Sequence, residues 1–280
     1  MIVEWIRHTV TPAPRPLRRM GALHDLIAID ARRRRHPRAW APHLRATHGV
    51  ILDCAARLER WDTVVVIGAG LTADIPLVSL ALLFRRVVLV DLMFMPSVRL
   101  SAMRMTAVEL APCDVTGVIE AVRALPEGAE LPAPQGAVPE IDRADLVISC
   151  NVLSQLPHLP ARWLGQHHHL DEAALEPFRR ALIADHLRVL REAPCPVCLI
   201  TDTERQEMTA DRPTAAEDLL YGVEPEVEGS AWWWNIAPKP EQRWLHDVRH
   251  RVIGGWLKGY SMRDEAPTDV GPGPAHGGAG

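Results

Sequence analysis

The sequence predicts an α/β protein: a doubly wound, mostly parallel sheet with an antiparallel C-terminal hairpin and an N-terminal helical cap. Two observations predict this class. First, β-branched runs at residues 63–67 and 86–90 are typical of parallel strands buried on both faces, and a glycine loop and an apolar helix separate them. Second, two tryptophan-rich strand patterns near the C-terminus flank a short polar turn, which indicates a hairpin.

Composition narrows the classes of function. A chain of 280 residues can form one large domain or two small ones. Its net charge of −4 argues against nucleic acid as a partner, because counterion release needs a basic surface. No apolar run exceeds ten residues, too few to cross a bilayer. Five scattered cysteines and no signal-peptide pattern predict a cytoplasmic location without a disulfide framework.

The first 60 residues are expected to form an arm and a helical cap. The arm is predicted to be irregular to residue 20, with helices over 23–35 and 41–60. The arginine run at 32–35 is typical of a solvated helix end, with a small patch that binds an anion or nucleic acid as the alternative. Trp40, His43 and His48 are placed to fold over a pocket in the following domain, at 61–262. A disordered tail is expected at 263–280.

The clearest motif is the loop that joins the two buried strands. Gly68 and Gly70 allow a tight turn and the close approach of a ligand. Asp91 ends the second strand, where a carboxylate can accept hydrogen bonds from both hydroxyls of a ribose. The spacing predicts a nucleoside-cofactor site, and an ordinary βαβ crossover with a glycine turn is the alternative.

Three cofactors fit this motif: NAD(P), FAD and S-adenosylmethionine. Ala73 satisfies the third small position of the dinucleotide pattern. Asp74, however, is expected in the first turn of the next helix, with Thr72 as N-cap, and a carboxylate there opposes a pyrophosphate. It suits the sulfonium and ammonium groups of S-adenosylmethionine better. The alternative role of Asp74 is to charge-cap its own helix.

The remaining elements follow from shorter patterns. They are a strand over 103–110, a helix over 118–124, a proline-rich loop at 125–140, a strand over 144–149, a helix over 170–192, a strand over 195–201, and hairpin strands over 232–238 and 244–256.

Between residues 63 and 256 the chain resembles the class I S-adenosylmethionine-dependent methyltransferases, which have a Rossmann-like fold. The motifs that carry the resemblance are VVVIGAGLTAD (64–74), RVVLVD (86–91), CDVTG (113–117), ADLVISCNVLSQLP (144–157) and the tryptophan-rich strand pair. The resemblance implies S-adenosylmethionine as cofactor. The cofactor-binding residues it implies are Gly68, Ala69, Gly70, Asp91, Leu92, Asp114, Val115, Cys150 and Asn151.

Two departures from the family pattern bear on the choice of cofactor. Val66 stands where the family usually has an acidic residue, and Ala73 or Thr72 replaces its third glycine. Val66 is typical of NAD- or flavin-binding loops. Against a short-chain dehydrogenase, neither Tyr221 nor Tyr260 is followed by a lysine four residues later.

Methyl transfer requires an aligned acceptor, a dry site and, for some acceptors, removal of a proton. Three residues are the candidates for this chemistry. Asn151 would hydrogen-bond at the junction of cofactor and acceptor, Asp202 ends the fifth strand, and His43 would accept a proton. The alternatives are a turn-capping role for Asn151 and a structural, partly buried role for His43.

Other conspicuous residues are assigned to structure. The histidines at 167–169 lack partners at metal-ligand spacing, so no metal site is predicted. A redox pair of cysteines would lie at the start of a helix, whereas Cys195 and Cys198 fall within a strand pattern. Of the tryptophans at 232–234, alternation along a strand places at least one in the core, and another is a candidate to line an acceptor pocket.

These patterns predict methyl transfer from S-adenosylmethionine to a small molecule or a protein side chain. Two alternatives stay open: an NAD(P)- or FAD-dependent oxidoreductase, and a non-catalytic Rossmann-like binding protein.

Overall fold

The computed structural model describes residues 11–209, 212–243 and 245–259. The predicted tail and Trp244 lie outside these ranges. In chain order the helices are α1 (Arg15–Met20), α2 (Ala22–Arg35), α3 (Pro37–Ala56), α4 (Leu77–Leu83), α5 (Pro96–Arg104), α6 (Ile119–Arg123), α7 (His158–His167) and α8 (Glu172–Arg191). The strands are β1 (Thr63–Ile67), β2 (Arg86–Asp91), β3 (Val108–Pro112), β4 (Leu146–Cys150), β5 (Val197–Thr209), β6 (Arg212–Asp218), β7 (Val227–Ala237) and β8 (Asp247–Leu257).

All eight strands belong to one sheet, in the order β3-β2-β1-β4-β5-β8-β7, with β6 paired to β5. The first five strands are parallel and follow the doubly wound order, which reverses between β1 and β4. The carboxyl ends of β1 and β4 therefore lie side by side at the switch point, where such sheets bind ligands. The predicted fold class is confirmed.

The antiparallel part of the sheet is built on β5, which continues beyond its pairing with β4. That pairing ends at Cys150 opposite Ile200. From there β5 runs on between β6 and β8, and β7 covers the outer edge of β8. The C-terminal hairpin is confirmed, and β8 lies between β5 and β7 rather than at the edge of the sheet.

The N-terminal helices pack against this antiparallel region. The Trp40 indole N–H donates a hydrogen bond of 3.1 Å to the carbonyl of Ile236 on β7. The arginine run that ends α2 is exposed at Arg34 and Arg35, as predicted, and it also forms ion pairs. Arg33 and Arg34 pair with the buried carboxylate of Asp30, and the last arginine of the run reaches the β7–β8 connection.

That second contact is an ionic cluster around Glu241. Arg35 donates two hydrogen bonds to its carboxylate, and His36 lies 3.1 Å from the same group. Arg32 approaches to 3.8 Å. The cluster joins the C-terminal end of α2 to the hairpin turn, so two segments about 200 residues apart in sequence are held together.

Two local predictions are wrong, and three elements, one of them helix α5, were not predicted. The arm contains α1, whose Leu17 and Met20 are buried. The segment predicted as a strand over 103–110 contains the end of α5, and β3 begins only at Val108. Its apolar Met103 is exposed and does not pair with β2. Helix α7 and strand β6 were not predicted: α7 begins among prolines, and β6 is exposed along its whole length.

Both faces of β1, β2 and β4 are covered by apolar side chains, in agreement with their apolar sequences, whereas β3 lies at the edge of the sheet and exposes Glu109. Within the described ranges, no helix has the length and apolarity needed to cross a membrane.

Candidate functional site

The glycine loop after β1 is wedged between the carboxyl ends of β2 and β4. Gly68 has a φ of +85°, and a Cβ there would lie 2.4 Å from the carbonyl oxygen of Cys150. A Cβ on Gly70 would lie 2.8 Å from the Met93 carbonyl oxygen and 3.0 Å from the Asp91 carboxylate. Only glycine fits at either position, because the loop backbone lies directly against the ends of β2 and β4 with no room for a side chain.

The expected helix start after this loop is wrong. Helix α4 begins at Leu77 with Pro76 as its N-cap, and Thr72 has a φ of +54° in the loop instead of capping the helix. Asp74 therefore precedes the helix and does not charge-cap it. Its Oδ2 accepts a hydrogen bond of 2.7 Å from the amide of Asn151, which links the β1 loop to the end of β4.

Asp91 ends β2 beside the loop. Its Oδ2 accepts a hydrogen bond of 2.8 Å from the Gly70 N–H, across 21 residues of sequence. Burial raises the pKa of Asp91 to about 6, although hydrogen bonds from the backbones of Gly70, Met93 and Leu92 oppose the rise. The carboxyl is thus fixed by the loop at the edge where the sheet reverses.

Asn151 lies at the centre of the site. It is buried, has a φ of +50°, and its N–H donates to the Ile200 carbonyl at 2.8 Å. Its side-chain nitrogen donates to Asp74 and lies 3.3 Å from Nε2 of His43. Its Oδ1 is a buried acceptor without a partner among the described residues. A buried acceptor of this kind is costly unless a ligand donor satisfies it.

His43 reaches this site from α3, but it is poorly arranged to accept a proton. The Trp232 indole N–H donates to Nδ1 at 3.1 Å, so Nδ1 carries the lone pair and Nε2 carries the proton of the neutral ring. The ring stacks on Trp234 at 3.9 Å. Burial lowers the pKa of His43 to about 3. The geometry favours a packing and hydrogen-bonding role over the predicted role as proton acceptor.

Asp202 lies on β5 two residues beyond the pairing with β4, and it is buried. Its Oδ1 accepts a hydrogen bond from the Ser154 hydroxyl, and its Oδ2 lies 2.6 Å from Nδ1 of His250 on β8. Burial alone would raise the pKa of Asp202, but the bonds from His250 and Ser154 outweigh it, so this pKa lies below its usual value.

His250 is not among the site residues predicted from the sequence. One signal was available: Val248 and Val252 alternate with it on β8, so a strand with these valines inward also turns residue 250 inward. The structure bears out this alternation, since both valines are buried and the ring of His250 faces Trp234 at 6.0 Å.

The remaining predicted cofactor residues lie near the ends of β2, β3 and β4. The Asp114 carboxylate binds its own turn, accepting from the N–H groups of Thr116 and Ile119 at 3.0 and 2.8 Å. Val115 is buried, while Leu92 is partly exposed. Cys150 is buried beneath the loop, and burial raises the pKa of its thiol well above the usual range.

The residues assigned to structure have local partners. His167 stacks on Trp163 at 3.6 Å, and no group of potential metal ligands occurs among the described residues. Cys195 and Cys198 are buried free thiols. Of the three consecutive tryptophans, Trp234 is buried and Trp233 is 40% exposed. Alternation along β7 accounts for the difference.

No protein-family model matches this chain, and no curated protein sequence is detectably similar to it. Three solved structures illustrate the similarities found. A DhpI–SAM–HEP complex is 12% identical over 86% of this chain and 99% of that chain, with a TM-score of 0.36. The glycopeptide N-methyltransferase MtfA with S-adenosyl-L-methionine is 16% identical over 73% and 75%, with a TM-score of 0.31. A Burkholderia thailandensis 1,6-didemethyltoxoflavin-N1-methyltransferase is 16% identical over 87% and 92%, with a TM-score of 0.32. All three similarities are distant.

Proposed function

We propose that this protein binds S-adenosylmethionine and transfers its methyl group to a small molecule or a protein side chain. One observation carries the proposal: three hydrogen-bond acceptors with different surroundings converge where β1, β2 and β4 end. The Asp91 carboxylate is held by the glycine loop, and the Asp74 carboxylate lies beside the unpartnered Oδ1 of Asn151.

These acceptors fit the two ends of that cofactor. Asp91 is suited to accept hydrogen bonds from ribose hydroxyls, as acids at this position do in nucleoside-binding sheets. Asp74 and the Asn151 Oδ1 together suit an ammonium group, which has only donors and carries a positive charge. When bound, the cofactor supplies an already activated methyl group, and the protein supplies alignment and a dry site.

The same geometry argues against a dinucleotide. A pyrophosphate is favoured by free backbone N–H groups at a helix N-terminus. Here α4 begins only at Leu77 and has just seven residues, and the loop before it carries the Asp74 carboxylate. These features support S-adenosylmethionine over NAD(P) or FAD.

Calorimetric titration tests this proposal directly. We expect micromolar binding of S-adenosylmethionine and S-adenosylhomocysteine, and no binding of NADH, NADPH or FAD. Asp91→Ala should weaken binding at least about tenfold, because each hydrogen bond to a charged group contributes roughly 1.5–3 kcal/mol. Asp53→Ala is the matched control, since Asp53 is exposed on α3. Tight binding of a dinucleotide would contradict the proposal and indicate an oxidoreductase. If none of the five ligands bound, the proposal would be wrong and a non-catalytic binding protein would be the better interpretation.

The proposal also includes a role for Asn151, a role for the N-terminal helices and a cellular location. We infer that Asn151 positions the cofactor and the acceptor, and that helices α1, α2 and α3 form a cap on the domain built around the sheet. The five cysteines are free thiols, which is consistent with a reducing, cytoplasmic location.

A further inference from the structure

Asp202, in the middle of β5 just beyond its pairing with β4, forms a polar pair with His250 of β8. Binding of a cofactor does not require this arrangement. His250 Nδ1 lies 2.6 Å from Asp202 Oδ2, and Ser154 donates to the other carboxylate oxygen. Asp202 is buried, while the His250 side chain keeps 13% of its surface exposed. A buried carboxylate thus fixes a histidine that still reaches solvent.

This arrangement determines which ring nitrogen of His250 carries the proton. An ionised carboxylate only accepts hydrogen bonds, so Nδ1 must donate and therefore carries a hydrogen. In the neutral ring the lone pair then lies on Nε2. None of the described residues forms a hydrogen bond with Nε2, and the ring's partial exposure leaves that nitrogen accessible to a ligand.

The groups around His250 come from three elements. Asp202 faces it from β5, where Arg205 is opposite in register, and Trp234 faces it from β7. His43 on α3 stacks on the ring of Trp234 at 3.9 Å. Since the Nδ1 lone pair of His43 is bound to Trp232, His250 is the better placed of the two histidines to receive a proton.

We propose that His250 is the proton acceptor of this site, with Asp202 as its positioning residue, and that the methyl acceptor is an amine or hydroxyl that loses a proton on methylation. The inference rests on the proposed function. The heavy atom of the acceptor bonds to the methyl carbon, the electron pair of the broken carbon–sulfur bond stays on sulfur, and the acceptor's proton goes to Nε2 of His250.

The first test is spectroscopic and needs no acceptor. In protein labelled with nitrogen-15 histidine, long-range proton–nitrogen spectra should show neutral His250 protonated at Nδ1, with His250→Gln identifying its signals. In Asp202→Asn, Ser154 should hold the amide oxygen, so the amide nitrogen faces His250 and donates to Nδ1. The ring proton should then move to Nε2. A wild-type ring protonated at Nε2 would overturn the proposal.

The second test measures turnover with methyl-labelled S-adenosylmethionine and a panel of simple amines, phenols and thiols. For an acceptor that the wild type methylates, His250→Gln should lower the rate about a hundredfold without changing cofactor affinity. His246→Gln is the matched control, because His246 also pairs with a carboxylate, that of Glu207, but outside the site. An unchanged rate in His250→Gln would refute the role of His250. If the wild-type protein did not bind S-adenosylmethionine, the proposed function would be refuted instead.

Discussion

Two glycines with similar positive φ angles differ in their surroundings, so their substitution distinguishes backbone strain from steric collision. Gly68 and Gly128 have φ values of +85° and +73°. A Cβ on Gly68 would collide with the Cys150 carbonyl at 2.4 Å, whereas a Cβ on Gly128 would meet nothing within 4 Å. Alanine at either position carries the strain of a left-handed backbone, and only at residue 68 does it also force β4 and the loop apart.

We therefore expect Gly128→Ala to lower the free energy of unfolding by about 1–2 kcal/mol. Gly68→Ala should cost about 3 kcal/mol or more and also abolish cofactor binding, because the clash adds to the strain. Urea unfolding and calorimetry of both variants provide the comparison. Equal losses of stability would show that the loop is free to move away from Cys150.

The raised pKa of Asp91 makes cofactor binding dependent on pH. Burial places this pKa at about 6, and only the ionised carboxylate can accept from both ribose hydroxyls. The affinity for the cofactor should therefore be highest well above pH 6 and should decrease as the pH falls through 6. Binding of S-adenosylhomocysteine should be about tenfold weaker at pH 5 than at pH 7.

Asp91→Asn provides the control for this dependence. An amide does not titrate, so the variant should bind more weakly than the wild type but with little change between pH 5 and 7. If the variant retained the full slope, Asp74, whose pKa burial also raises, would be the responsible group.

At the scale of elements, the ionic cluster on Glu241 joins α2 to the β7–β8 connection. Its hydrogen bond with Arg35 lowers the pKa of Glu241 to about 2, with burial opposing and His36 assisting. A lowered carboxyl pKa contributes stability above the unfolded-state value, 4.5, and this contribution is lost as the pH falls toward 2. Much of the apparent shift is screened near the surface, so the contribution is small.

Glu241→Gln should therefore lower the free energy of unfolding at pH 7 by no more than about 1 kcal/mol. The difference from wild type should narrow between pH 4.5 and pH 2. Thermal unfolding across this range measures it, with Glu224→Gln, at an exposed position, as control. A difference independent of pH would mean that the carboxylate's charge does not hold the helix to the hairpin.

The sequence predicts best the elements that are buried, because a buried strand consists mostly of apolar, β-branched residues that can be recognised in the sequence. Strands β1 and β2 are buried almost throughout and have continuous β-branched runs. Strand β6 is exposed at every residue, so nothing in its composition distinguishes it from a loop. Its strand conformation comes from pairing with β5, which is a tertiary contact.

The same distinction applies to the candidate site. Gly68, Gly70 and Asp91 lie within one βαβ unit, where spacing along the chain reflects spacing in the fold. Asn151 bonds to Asp74, 77 positions away, and lies beside His43 of the N-terminal helices, 108 positions away. Asp202 pairs with His250 of the hairpin, 48 positions away. No local pattern encodes such distances. They follow from how the cap and the hairpin pack.

At the scale of the whole molecule, the position of β8 makes the sheet depend on the C-terminal hairpin. β8 pairs with β5 on one side and β7 on the other. A chain ending at residue 246 would leave the long edge of β5 unpaired and β7 without its strand partner in the sheet. Exposed edges of this kind promote association between chains.

We expect this truncated chain to aggregate rather than to fold into a smaller monomer, and to bind no S-adenosylmethionine. Size-exclusion chromatography with light scattering would measure its state, and a chain ending at residue 259, which retains β8, is the control. A monomeric, cofactor-binding product from the shorter chain would show that the parallel strands fold independently.

The placement of β8 also has a consequence for biosynthesis. Domains begin to fold as the chain leaves the ribosome, N-terminal segments first. Here the strand that fills the gap between β5 and β7 is encoded after both of them, and it carries His250. A nascent chain can assemble the glycine loop and Asp91 early, but its β5 edge stays open until β8 emerges. Sequence changes that delay this last insertion should reduce the yield of protein in cells even where the purified, finished molecule is as stable as before.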